Sequence, residues 1–169
     1  LMPGVKSYSD WTEITLPFTS RGGSTYGFFF SQYNAAASIY IDNFKVLDAS
    51  GNDMLEGAGS FCTEGTGEET NKMQQPYDGE TEDYWYRTWL SGADTSVRFI
   101  EIAESGCNDT GSLHIVNKPT EKQGDMRVGF KKTIPAGAYT LQFNIKGSLK
   151  LADQQFYFKE SGQSDYTDL

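Results

Sequence analysis

The chain of 169 residues is the length of one domain, and 37% apolar with 22% charged residues describes a globular protein and excludes a chain disordered by composition. Fourteen Lys and Arg against 23 Asp and Glu leave a net charge of -9, which argues against nucleic acid and anionic membranes as partners, since both need a basic face. The tightest apolar cluster, Phe28-Phe29-Phe30, is far below the ~20 residues of a membrane span; two cysteines without a CxxC spacing exclude a zinc site, and the single histidine, His114, leaves little room for imidazole chemistry.

Aromatic residues make up 14% of the chain, with 18 glycines beside them. Many aromatics, many glycines and few helix-forming runs favour an all-β sandwich with tight loops. The chain opens on Leu1-Met2-Pro3-Gly4, which reads as the edge of an excised fragment with no visible signal peptide. Ile14, Leu16 and Phe18 then alternate with polar residues after Trp11, which predicts a strand. Arg21-Gly22-Gly23-Ser24 is a turn, and Tyr26, Phe28 and Phe30 form the next inward stripe, with Gly27 and Phe29 facing the other way. A connection at 34–38 leads into Ile39 and Ile41. Asp42-Asn43 before Phe44 shifts the alternation by one residue, the signature of a β-bulge. Asp48 to Asp53 is a polar turn.

Residues 64–83 are acidic, glycine-bearing and nearly devoid of apolar side chains, and predict a long surface loop with one helical turn near 71–75. The loop runs into Tyr84-Trp85-Tyr86-Arg87-Thr88-Trp89, the densest aromatic segment of the chain. Strands follow at 97–103, at Leu113 and Ile115, and at Met126, Val128 and Phe130. Tyr139, Leu141, Phe143 and Ile145 give the clearest alternation, with Gln142 and Asn144 on its outer face; Leu149 to Leu151 and Phe156 to Phe158 close the series. About ten short strands and no long helix predict a two-sheet sandwich or jelly roll.

Four segments carry a resemblance: Ile134 to Gly147, Gly111 to Ile115, Trp11 to Phe18, and Ser38 to Val46. Each resembles a segment of the carbohydrate-binding modules of the large jelly-roll group attached to bacterial glycoside hydrolases. Together they cover about half the chain, and their order is permuted. Residues 1–55 resemble the C-terminal half of that group and 56–169 its N-terminal half. Two readings fit: a circular permutant with neighbouring ends, or a piece cut across a tandem array whose halves complete one sandwich. The resemblance implies a single β-sandwich over 1–169, part of a larger secreted or cell-surface protein. It would attach that protein to a plant glucan or xylan, or to starch, without catalysis or membrane insertion.

Sugar binding needs flat rings for the apolar C–H faces of pyranoses and oriented polar groups for the hydroxyls. The candidates are Trp85, Trp89, Tyr84 and Tyr86 beside the long loop, outward Tyr40 and Phe29, and the amides Gln142 and Asn144. Against this stands the reading in which one tryptophan plugs the core and the outward rings pack under a loop. The resemblance also implies a structural calcium with Asp42 as ligand. The opening motif departs from the family at Cys62, where a glutamate is usual, and Asp42 can equally cap the bulge. In an extracellular protein Cys62 and Cys107 are expected to pair, closing a loop of about 45 residues worth about 3–4 kcal/mol; the alternative is two buried thiols. The sequon at Asn108 is too short to carry weight. Two alternatives stay open: a structural or adhesin module without a sugar ligand, and a small carboxylate-based glycoside hydrolase or lyase. For the latter Glu82 and Asp83 are the best local acids, outside any catalytic motif.

Overall fold

The computed structural model describes residues 7–32, 37–61, 83–90, 98–108, 110–117, 124–149, 154–164 and 167–169. Among the described residues ten strands run in chain order: β1 (Ser7–Ser20), β2 (Thr25–Gln32), β3 (Ala37–Leu47), β4 (Tyr84–Leu90), β5 (Arg98–Ala103), β6 (Ser112–Asn117), β7 (Gly124–Lys131), β8 (Gly137–Leu149), β9 (Gln154–Glu160) and β10 (Thr167–Asp168). A short 3₁₀ turn, Ala58–Ser60, follows β3. The predicted loop over 64–83, except Asp83, and its helical turn lie outside the described residues.

The described strands form two antiparallel five-stranded sheets, ordered β1-β8-β3-β6-β5 and β10-β9-β2-β7-β4. A jelly roll is a long antiparallel hairpin rolled on itself, so that strand 1 pairs with 8, 2 with 7 and 3 with 6. All three pairings are present, as are the β3–β8 and β4–β7 neighbours that rolling creates. The roll departs at β5, which pairs with β6 instead of β4. It is extended by β9 and β10 on the free edge of β2. Strands from 1–55 and from 56–169 share both sheets. The expected approach of the two ends falls on Leu1, outside the described residues; Leu169 packs against the core.

Alternation decides which side chains meet between the sheets. Phe28, Ile39, Ile41, Leu113, Ile115, Leu141, Phe143 and Ile145 are all buried there, as their period of two predicts, and Ile14 and Leu16 are partly buried against them. The side chain of Phe30, also expected in the core, lies outside the described residues. After the bulge the phase resumes with Phe44 and Val46 inward. The register of β3 against β8 slips between Asp42 and Lys45, with Asn43 at φ 50°. The predicted polar turn is held by Asp48, whose carboxylate accepts the N–H groups of Ser50 and Asn52, each at 2.8 Å. Leu141→Ala, at a fully buried site on central β8, is expected to cost about 2–5 kcal/mol in chemical denaturation.

Candidate functional site

The eight residues singled out for sugar contact are spread over two sheets, and the six whose side chains are described lie on three faces. On β4, Tyr84 and Tyr86 stand opposite Phe130 and Val128 of β7 and point between the sheets. Tyr86 is 8% exposed and Tyr84 is half-buried, and burial pushes both phenol pKa values up. Trp85 takes the opposite, outer face of its sheet and is nevertheless 0% exposed. Its indole lies against Gly129, which stands between it and Gly27 of β2. These three rings therefore do not form the solvent-facing cluster expected of them: two belong to the core and the third fills a glycine trough. Trp89 pairs with Asp125 along the same strand, and its side chain is outside the described set.

Phe29 and Tyr40 were expected to share a platform. β2 and β3 lie in different sheets, so Phe29 belongs to the second sheet, opposite Arg127, and Tyr40 to the first. The side chain of Phe29 is also outside the described set.

Tyr40, Gln142 and Asn144 do come together, on the outer face of the first sheet. A cross-strand row runs Lys146 (β8), Tyr40 (β3), His114 (β6) and Glu101 (β5). Tyr40 stacks on His114 with ring centroids 4.2 Å apart and planes 3° from parallel. Trp11 of β1 approaches the edge of Tyr40 at 6.5 Å and 72°. Between β1 and β3, Asn144 pairs with Glu13 and Asp42, and Gln142 with Thr15 and Lys45. All of Trp11, Tyr40, His114, Asn144 and Gln142 are half-buried, so each is accessible yet held. Trp11 and His114 were absent from the expected site. Trp11 is 29 residues from Tyr40 (40 minus 11), and the two meet only because β8 pairs with both of their strands.

Asp42 lies two residues along the same strand and is fully buried. Its Oδ1 accepts the N–H of Asn43 and its Oδ2 the N–H of Cys107, both at 2.6 Å. This is a bulge cap that ties the β5–β6 connection across the face. Calcium takes six to eight oxygens. Among the described residues no group of three or more His, Cys, Asp and Glu converges. Cys107 is half-buried; Cys62, its expected disulfide partner, lies outside the described residues.

A separate concavity of about 400 Å³ lies beside the β1–β2 turn and includes Arg21, Glu160 and Gln163. The buried Glu160 carboxylate accepts from the Arg21 N–H at 3.0 and 3.1 Å, from Ser20 Oγ at 3.3 Å and from Gln163 Nε2 at 3.1 Å. Its hydrogen bonding is spent on the fold, and among the described residues no aromatic ring lines the space. Among the described residues no helix is long and apolar enough to cross a membrane. No protein-family model matches the chain, and no curated protein or solved structure does.

Proposed function

We propose that the chain is a polysaccharide-binding module of a secreted or cell-surface protein, and that it holds a plant glucan or xylan, or starch, on the outer face of the β1-β8-β3-β6-β5 sheet. The observation that carries this reading is the joined set of Trp11, Tyr40 and the amides Asn144 and Gln142 on one sheet face. Rings supply apolar surface for sugar C–H groups, and amides offer a donor and an acceptor for hydroxyls. A neutral polymer is not repelled by a net charge of -9. Affinity is modest in this reading, since each hydroxyl gives up a water contact for each hydrogen bond gained.

The test is affinity gel retardation against soluble glucans, xylans, mannans and starch. Trp11→Ala and Tyr40→Ala are each expected to abolish retardation by the best polysaccharide while the circular dichroism spectrum stays unchanged. Both side chains are half-buried on a sheet exterior, so their loss leaves the core intact. The burial of Trp85 favours, as second reading, a structural or adhesin module without sugar ligand. Wild-type protein that no polysaccharide retards would decide for it.

A further inference from the structure

The row that bears Tyr40 also lines up three groups in the order of an acyl-transfer site. His114 Nδ1 is 2.8 Å from Glu101 Oε1, and its Nε2 is 3.0 Å from Ser38 Oγ. An ionised carboxylate can only accept a hydrogen bond. In the neutral imidazole the proton therefore sits on Nδ1 and points at Glu101, and the Nε2 lone pair faces Ser38. The serine hydroxyl donates into that lone pair. The direction of the chain, hydroxyl to imidazole to carboxylate, is that of nucleophile, general base and orienting acid.

The register explains why the three meet. Glu101 and His114 are direct cross-strand partners on β5 and β6, while Ser38 on β3 pairs with Val116 and so sits diagonal to His114. The His114 side chain is 14% exposed against 56% for Glu101, and Ser38 is exposed. The base is thus sheltered and the nucleophile open. The ring has little freedom to swing away, because Tyr40 covers one of its faces.

We propose that Ser38, His114 and Glu101 form a catalytic triad that hydrolyses esters of small acyl groups. Ser38 Oγ attacks the ester carbonyl carbon, and its proton passes to His114 Nε2. The C–O bond to the alcohol breaks, and the alcohol leaves with that proton. Water, deprotonated by the same nitrogen, then attacks the acyl carbon; the C–O bond to Ser38 breaks, the proton passes from Nε2 to Ser38 Oγ, and a carboxylic acid is released. Glu101 holds the Nδ1–H throughout and stabilises the imidazolium. Lys146, paired with Tyr40 on the neighbouring strand, brings positive charge to this row for the oxyanion. The identity of the alcohol as an acylated sugar rests on the polysaccharide reading above; the activated serine does not.

The experiment treats the full chain with a fluorophosphonate and follows intact mass, with p-nitrophenyl acetate as a second probe. Wild-type protein is expected to gain one phosphonyl group, mapped to the peptide containing Ser38. Ser38→Ala is expected to lose that label and to hydrolyse p-nitrophenyl acetate about 100-fold or more slowly, the scale of positioned general-base catalysis. Glu101→Gln is expected to slow labelling at least about tenfold, because its amide no longer fixes the tautomer. Both substitutions are at exposed positions, so folding is preserved. Labelling of wild type no faster than of Ser38→Ala, or a rate that Glu101→Gln leaves unchanged, overturns the triad. Neither result touches polysaccharide retardation, which Ser38→Ala is expected to retain.

Discussion

Trp85→Ala is expected to lower the unfolding free energy by about 3–5 kcal/mol, a large share of the total stability of a domain this size. The indole is fully buried on the outer face of its sheet, over Gly129. A Cβ at Gly129 would stand 2.1 Å from Trp85 Cζ2 and 2.4 Å from the Tyr26 carbonyl oxygen. Backbone and ring thus occupy the space a side chain would need. Gly129→Ala is accordingly expected to destabilise by about 1–3 kcal/mol or more, because neither a ladder carbonyl nor a trapped ring can retreat. Urea denaturation of both variants checks this. A loss below about 1 kcal/mol for Trp85→Ala would mean that the ring is not held as described. If the variant does unfold this readily, a loss of sugar binding in it says nothing about contact. For this reason the binding test rests on Trp11 and Tyr40.

The same residues show what local pattern can reveal. Leu141, Phe143 and Ile145 were legible because one face of β8 is core along its whole length, and a period of two then reports burial directly. The bulge was legible because Asp42-Asn43 breaks the phase between two apolar stripes. Alternation also places Trp85 opposite Tyr84 and Tyr86. It does not say which face of an edge strand is covered, and here both are. The space that takes the indole exists because Gly129 on the neighbouring strand carries no side chain, and only the pairing of β7 and β4 makes the two adjacent. Phe29 was grouped with Tyr40 because both oppose inward residues. Their strands, β2 and β3, lie in different sheets. His114 was set aside because it is the only histidine, yet its ring is hydrogen-bonded to partners contributed by β3 and β5, which no spacing along the chain displays.

Asp42→Ala is expected to cost about 2–5 kcal/mol, although no apolar contact is removed. The carboxylate is fully buried, and each of its oxygens accepts a short backbone hydrogen bond, one from Asn43 and one from Cys107. Alanine would leave both N–H groups without that acceptor in a part-buried site, and each buried group so left costs about 1–3 kcal/mol. Asn43 would also lose the partner that steadies its positive φ, a conformation a non-glycine residue adopts at some cost. Asp42→Asn is not expected to rescue. An amide offers one acceptor and one donor, so its NH₂ would face a backbone N–H at one of the two positions. Midpoints in urea for wild type, Asp42→Ala and Asp42→Asn give the comparison, and an asparagine variant as stable as wild type would show that only one of the two hydrogen bonds matters. Repeating the wild-type titration with calcium and with chelator separates the two roles of the residue. A cap built from backbone donors gives the same midpoint in both. A calcium ligand gives a higher midpoint with the ion, because an ion bound only to the folded state stabilises it by mass action.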